Sequence, residues 1–171
     1  VAKAREGSWL TLGEASRLSG DRVDVFFRDE KMDSLIALGA ARNAYTAVAR
    51  EGKTPESNLA SGDTIVVHFR DRKIHRALVM GRANGEYRFA VNVGDTAAAK
   101  LELVRYEAPR IEFRVPEDLI VLEPKASLRY KDMALTAKEV QFDSRRQTLV
   151  ARGDPELVDK GDRVVGDVMS Y

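Results

Sequence analysis

The side chains best suited to catalysis or metal binding are few and scattered. The chain has two histidines, His68 and His75, and no cysteine. A zinc site needs about four ligands in tight geometry, so the two histidines alone indicate no metal site. Paired carboxylates such as Asp29 with Glu30 fall in predicted turns, where solvated surface charge is favoured over general acid–base catalysis. There is no nucleophile elbow, glycine-rich phosphate loop or HExxH sequence. We therefore predict no enzymatic activity, no metal and no cofactor.

Six arginines lie beside the apolar segments and could contact phosphate groups, because a guanidinium offers paired donors to phosphate oxygens. The candidates are Arg22, Arg28, Arg70, Arg110, Arg114 and Arg129. Most arginines on a sheet surface simply keep it soluble. Solvated charge is therefore the favoured interpretation of each one.

Two internal repeats organise the chain. Residues 19–29 (SGDRVDVFFRD) return without a gap 42 residues later as residues 61–71 (SGDTIVVHFRD). A second repeat has a spacing of 29 residues and includes 108–113 (APRIEF), 137–142 (AKEVQF) and 166–171 (GDVMSY). Self-similarity at a fixed spacing indicates one small unit stacked several times, none of which buries its apolar face alone.

The repeated unit has the pattern of a β-hairpin. Val23, Val25 and Phe27 alternate with polar or outward residues, and the later repeats follow the same period of two, which is typical of half-buried strands. The predicted charged turns lie at 29–31, 71–73, 116–118 and 143–146, and the predicted second strands at 32–38, 74–80, 119–122 and 148–151. Gly39, Gly81 and Gly153 stand at or near the ends of three second strands, where we expect backbone bends.

The remaining segments are less regular. Residues 12–18 and 97–103 could each form one or two helical turns, and residues 51–59 and 92–99 are predicted loops. Trp9 is predicted to cap the open end of the stack, because terminal repeats need atypical covering residues.

Length and charge exclude several classes of protein. The chain has 171 residues and a net charge of +1, so it has no broad basic field for nucleic acid. No apolar run approaches the roughly 18 residues of a membrane helix. The chain begins at Val1, and Tyr171 falls where the earlier 29-residue units continue. We predict one domain over 1–171, a fragment of a longer protein, with long repeats over about 15–90 and short repeats over about 104–171.

The repeats resemble a known family. The resemblance rests on the segments 126–130 (ASLRY), 135–137 (LTA), 140–143 (VQFD), 149–153 (LVARG), 155–157 (PEL) and 166–171 (GDVMSY). Their order and spacing resemble the OstA-like domain of the lipopolysaccharide-transport proteins LptA and LptC and of the N-terminal part of LptD. The earlier Ser-Gly-Asp repeats fit the same pattern more loosely. The departures are the 42-residue spacing and the loop at 51–59.

The resemblance implies an all-β fold: an open, V-shaped β-jellyroll, or β-taco, of stacked antiparallel hairpins. It also implies a periplasmic protein that holds the acyl chains of lipopolysaccharide or a related lipid in an apolar groove, without enzymatic activity. Similar domains would join it end to end through terminal strands. The long repeat array suggests the periplasmic part of an LptD-like protein, associated with the outer membrane, or a longer LptA-like bridge.

The predicted groove is the apolar row of the repeats. Burial of apolar surface contributes roughly 25 cal/mol per Å², so such a row could hold a hydrocarbon chain, but it could equally pack as an ordinary core. Its residues are Val23, Val25, Phe27, Leu38, Ile65, Val67, Phe69, Met80, Ile111, Phe113, Leu122, Val140, Phe142 and Met169. Two alternatives remain. One is a structural β-solenoid that recruits partners by edge-strand addition. The other, a carbohydrate-active enzyme, ranks last because the inward rows lack carboxylates.

Overall fold

A computed structural model of the chain describes residues 9–12, 16–46, 55–91 and 100–171. These residues form strands and turns only, so they include no helix that could cross a membrane. The fifteen strands are β1 (Leu10–Leu12), β2 (Ser16–Ser19), β3 (Arg22–Arg28), β4 (Lys31–Thr46), β5 (Ser57–Arg70), β6 (Lys73–Val91), β7 (Lys100–Arg114), β8 (Leu119–Glu123), β9 (Ala126–Tyr130), β10 (Met133–Ala137), β11 (Glu139–Asp143), β12 (Thr148–Arg152), β13 (Glu156–Asp159), β14 (Asp162–Val165) and β15 (Val168–Ser170).

Three predictions about irregular segments are wrong where the structure describes them. Leu12 lies in β1 and residues 16–18 lie in β2, which pairs with β1 and β4, so the predicted helical turn at 12–18 is absent from these residues. Residues 100–103 are the first residues of β7, so the predicted helical turn at 97–103 is absent from them. Strand β5 begins at Ser57, inside the predicted loop at 51–59. Pairing with a neighbouring strand overrides a weak local pattern. The rest of these segments, 13–15, 51–54 and 92–99, lies outside the described residues.

All strand pairs are antiparallel and belong to one open sheet of 15 strands. Strands β4 to β7 are long, with 14 to 19 residues each, and cross the whole width of the sheet. One end of each long strand pairs within the order β3-β4-β5-β6-β7-β8-β11-β12-β15, which we call the first half-sheet. The other end pairs within β1-β2-β4-β5-β6-β7-β9-β10-β13-β14, the second half-sheet.

The long strands bend where they pass from one half-sheet to the other. In β4 the bend uses Gly39 and Ala40, with φ of 71° and 42°, and in β6 it uses Gly81 and Arg82, with φ of 71° and 50°. Two successive left-handed residues interrupt the pairing register at both places. The predicted bends are therefore present. The prediction that the second strands stop there is wrong, because β4 continues to Thr46 and β6 to Val91.

Small side chains line the inner side of this bend, which we call the fold line. Adjacent strands place Ala41 opposite Gly62, Ala83 opposite Ala108 and Ala126 opposite Ala137. The five alanines are at most 8% exposed. Two faces of a sharply folded sheet converge at the fold line, so only alanine and glycine leave room for the facing strands. The positions of these small residues in the sequence therefore determine where the sheet folds into a V.

Candidate functional site

The inner face of the first half-sheet is apolar throughout. Two adjacent rows of paired residues cross its strands. The row next to the fold line is Val23, Ala37, Ile65, Val79, Ile111, Leu122, Val140, Ala151 and Met169, and the next row is Val25, Leu35, Val67, Ala77, Phe113, Ile120, Phe142 and Leu149. All residues of the first row except Met169 are buried. This face holds no ionisable side chain in either row.

Most of the predicted groove residues lie on this inner face. Seven belong to the buried core: Val23, Val25, Ile65, Val67, Ile111, Leu122 and Val140. Phe69, Phe113 and Met169 are partly buried and pack against that core. Phe142 lies in the same row as Phe113 and is half-buried. The repeat pattern therefore brings these residues together as predicted from its period of two.

Three predicted groove residues lie elsewhere. Leu38 and Met80 both pair with Thr64, and Leu38 also pairs with Arg22. This row lies directly beside the buried row that contains Val23, so it belongs to the outer face. Their neighbours Ala37 and Val79 take the inward positions, since successive residues of a strand alternate between faces. Phe27 lies on edge strand β3 and is 62% exposed, so it does not pack in the core.

None of the predicted groove residues lies on the inner face of the second half-sheet. Its central row is Leu10, Leu18, Asn43, Ala60, Gly85, Tyr106, Leu128, Leu135, Leu157 and Val164. The signal that could have found it is the alternation in residues 126–130 (ASLRY), of which Ala126, Leu128 and Tyr130 lie on the inner face. Residues of both half-sheets form one hydrophobic core, so the two inner faces pack against each other.

The edge of the V opposite the fold line is lined by half-buried apolar side chains. Phe69, Ile74, Phe113, Ile120 and Leu149 contact the core but keep part of their surface accessible. These residues lie near the hairpin turns at which the first half-sheet ends. Hydrocarbon surface that is continuous with a core yet partly accessible is the surface that an apolar ligand can cover.

An aromatic cluster spans this open edge. Tyr87 of the second half-sheet contacts Phe142 of the first, with ring centroids 6.4 Å apart. Phe89 stacks on Tyr87 at 5.7 Å and contacts Tyr130 at 6.0 Å. Strands β6 and β11 are not neighbours in the sheet, so the contact between Tyr87 and Phe142 joins the two half-sheets across the interior.

Polar groups on the second inner face are paired with one another. The Tyr106 hydroxyl donates to Asn58 Oδ1 at 2.6 Å, and the Tyr87 hydroxyl donates to Glu56 Oε2 at 2.5 Å. Burial raises the pKa of both tyrosines, and the hydrogen bond to Glu56 raises the pKa of Tyr87 further. Both phenols therefore stay protonated and act as donors at neutral pH.

Glu102 is the one buried carboxylate on the second inner face among the described residues. It accepts hydrogen bonds from the Tyr130 hydroxyl and from Lys131, whose Nζ lies 2.7 Å from Oε2. Hydrogen bonds from Lys131 and then Tyr130 lower the pKa of Glu102, although burial acts in the opposite direction. The two inner faces thus differ: one is hydrocarbon only, and the other has hydrogen-bonded polar groups near the open edge.

The outer face of the first half-sheet has a buried ion cluster. Glu112 is 4% exposed. Its carboxylate lies 2.7 Å from Arg76 Nε, 2.9 Å from Arg114 Nε and 3.2 Å from Arg110 Nη2. Burial alone would raise the pKa of Glu112, but the hydrogen bond from Arg114 and the ion pair with Arg76 bring that pKa below its usual value. Glu112 therefore stays ionised and anchors the three guanidinium groups.

Most of the six candidate arginines are engaged by carboxylates. Arg22 pairs with Asp24 at 2.8 Å, Arg28 with Asp33 at 3.3 Å, Arg110 with Glu112 and Glu123, and Arg114 with Glu112. Within the described part of the chain, Arg70 and Arg129 form no ion pair.

The two histidines do not form a metal site with carboxylates. His68 lies on the outer face beside Ser34 and Arg76, and His75 is the extra residue at an irregularity of β6. The four described ranges hold no group of three or more His, Asp and Glu side chains able to ligate a metal.

Comparison with solved structures identifies a similar fold. One match is the crystal structure of LptH, described as the LptA homologous periplasmic component of the conserved lipopolysaccharide transport device from Pseudomonas aeruginosa. The match has a TM-score of 0.58 and 12% sequence identity, and it covers 91% of this chain and 96% of LptH. No family model matches the sequence, and no curated protein matches it. The predicted all-β, open V-shaped β-jellyroll is confirmed, and the resemblance to the OstA-like family is confirmed at the level of the fold.

Proposed function

We propose that this chain is a periplasmic lipid-carrying segment of a lipopolysaccharide transport bridge. Acyl chains of lipopolysaccharide or a related lipid would lie between the two half-sheets, with the sugars in solvent at the open edge. The segment would hold the lipid passively and without enzymatic activity, and other components would supply the energy for directional transport. Each buried methylene contributes about 0.8 kcal/mol, so roughly ten methylenes of one acyl chain inside the V would contribute about 8 kcal/mol.

The observation that carries this proposal is the chemistry of the open edge. The inner row of the first half-sheet continues without a charged residue from the buried Val67 to the half-buried Phe113, Ile120 and Phe142. An ordinary sandwich would bury this row completely or end it with polar side chains. The likeness to a lipopolysaccharide transport component supports the same interpretation.

We further propose that terminal strands join this segment to similar β-jellyrolls end to end. In the described residues, the edge strands are β3 and β15 in the first half-sheet and β1 and β14 in the second. Val164, Val165 and Val168 on these strands are 55%, 61% and 59% exposed. Exposed apolar edge strands favour the addition of a further strand.

The same edges support a second candidate function, a β-solenoid module that only recruits partners. Tyr171 and Leu149 exchange both backbone hydrogen bonds at 2.9 Å. Pairing in an antiparallel ladder alternates, so the N–H groups of Val168 and Ser170 point away from β12 toward the free edge. Proline at position 168 would therefore remove a donor for partner strands and leave the β12–β15 ladder intact.

One purification separates the two functions. The protein is expressed in the periplasm of a Gram-negative host, and its organic extract and its association state are measured by mass spectrometry and analytical ultracentrifugation. The lipid-carrying function predicts phosphorylated glycolipid in the extract of both the native protein and Val168→Pro. A recruiting module predicts an extract without lipid and an association that Val168→Pro weakens by about tenfold, while Val168→Thr retains it. An extract without lipid contradicts the proposed function.

A further inference from the structure

Two hairpin tips on the open edge of the first half-sheet share one backbone conformation. The β3–β4 turn places Asp29 and Glu30 at φ of 47° and 60°, and the β5–β6 turn places Asp71 and Arg72 at 50° and 62°. Arg28 pairs with Lys31 across the first turn, and Arg70 pairs with Lys73 across the second. The 42-residue repeat therefore builds the same turn twice.

The charges of the two tips are opposite. Residues 28–33 contain two cations and three carboxylates, whereas residues 70–75 contain three cations, one carboxylate and a histidine. The repeat places Arg72 where the first tip has Glu30, and His75 where it has Asp33. We call residues 70–73 the basic tip. Its charge is not required by the turn, because the first tip forms the same turn without it.

The cations of the basic tip form no ion pair with any residue that the structure describes, including their neighbour Asp71. Elsewhere on the same edge, Arg28 pairs with Asp33 at 3.3 Å and Arg145 pairs with Asp118 at 2.6 Å. The ion pairs found over residues 9–12, 16–46, 55–91 and 100–171 involve none of Arg70, Arg72 and Lys73, all of which are exposed. The three cations outnumber the single carboxylate of Asp71, so the tip has a net positive charge that attracts an anion.

The basic tip adjoins the apolar interior. Phe69 and Ile74 are paired directly behind Arg70 and Lys73, and both pack against the core. Arg70 and Lys73 follow these residues by one position, about 3.3 Å along the strand. Their side chains alternate to the outer face, and Arg72 lies in the turn itself at the end of the strands. An amphiphile with its hydrocarbon on Phe69 and Ile74 would place its charged group at the tip.

We propose that the basic tip binds a phosphate group of an amphiphile whose hydrocarbon lies between the half-sheets. This inference rests on the proposed function and adds the headgroup to it. Arginine matches phosphate oxygens with paired N–H donors, and lysine adds a point charge. The same chemistry would recognise free phosphate, so the lipid and the ion are compared directly.

The test uses two lipid A preparations with identical acyl chains, one phosphorylated and one dephosphorylated, and inorganic phosphate as a third probe. Arg72→Glu gives the second tip the residue of the first, and Glu30→Arg makes the reverse exchange in the matching turn. We expect Arg72→Glu to weaken binding of the phosphorylated lipid about fivefold or more and Glu30→Arg to strengthen it about twofold. Binding of the dephosphorylated lipid stays within twofold in both variants. Added salt reduces the difference, because exposed charges are screened.

The outcomes separate this inference from the proposed function. If the native protein binds both lipids but Arg72→Glu changes neither affinity, the basic tip is not a phosphate site and the lipid function stands. If the native protein binds neither lipid, the proposed function fails. If inorganic phosphate alone binds, with an affinity that Arg72→Glu reduces, the tip recognises the free ion and the lipid headgroup inference is overturned.

Discussion

Phe142→Asp is expected to reduce lipid binding by roughly tenfold or more. Phe142 lies in the all-apolar row of the first half-sheet and contacts Tyr87 across the open edge. A carboxylate at this position keeps its water shell, and covering it with hydrocarbon costs several kcal/mol. Acyl chains would therefore avoid this part of the interior. The measurement is the amount of glycolipid retained per folded protein, determined by quantitative mass spectrometry after purification.

Two variants control for charge and for the loss of the ring. Gln141→Asp introduces the same charge one residue away on the outer face, since Gln141 pairs with Val121 and Val150 outside the V. We expect this variant to retain lipid at the native level. Phe142→Leu keeps an apolar side chain and should lose less than threefold. Equal retention by folded Phe142→Asp and Gln141→Asp would contradict a hydrocarbon site at this edge.

Gly85→Val is expected to destabilise the fold by about 2–4 kcal/mol. A Cβ on Gly85 would lie 2.3 Å from Cζ and Oη of Tyr106, so the tyrosine ring occupies the space that any side chain would need. Tyr106 is 6% exposed and is held by its hydrogen bond to Asn58. Thermal unfolding should show a Tm lower by roughly 5–12 °C.

A double-mutant cycle shows whether this clash is the cause. Tyr106→Ala alone removes a buried ring and should also destabilise, by about 3–5 kcal/mol. In the Tyr106→Ala background, Gly85→Val should add less than about 1 kcal/mol, because the valine then fills part of the vacated space. Strictly additive free energies of unfolding would contradict the contact with Tyr106 as the cause of the destabilisation.

The sequence predicts one half of this fold well, for a physical reason. In the first half-sheet, inward residues such as Val23, Ile65 and Val140 alternate with polar residues, and the 42- and 29-residue repeats restate that alternation. The position of the turns at 29–30 and 71–72 follows from the same pattern. Alternation over several repeats identifies both the strands and the face that they bury.

The second half-sheet was not predicted because its strands continue through a glycine. Gly39 and Gly81 look like strand ends, yet each only redirects its strand through two residues with positive φ. Interior polar pairs such as Tyr106 with Asn58 join residues 48 apart in sequence, so no local pattern indicates them. Bends of this kind depend on the facing half-sheet, which a local sequence pattern does not contain.

Leu38 and Met80 show the limit of the alternation rule within the first half-sheet. They close the apolar runs 35–38 (LIAL) and 78–80 (LVM), in which both faces of the strand have aliphatic side chains. The apolar row of the repeats predicts both residues in the interior, but register gives the inward positions to Ala37 and Val79. Where both faces are apolar, the pairing register decides which face is buried.

Site-specific photo-crosslinking shows directly whether lipid lies between the two half-sheets. A photoreactive phenylalanine analogue would replace Phe113 on one inner face, Leu128 on the other, and Gln141 on the outer face. We expect glycolipid adducts at positions 113 and 128, because both lie on inner faces of the V. At position 141 we expect no adduct above background. Adducts at position 141 as strong as those at 113 and 128, or no adduct at either inner position, would contradict a lipid held between the half-sheets.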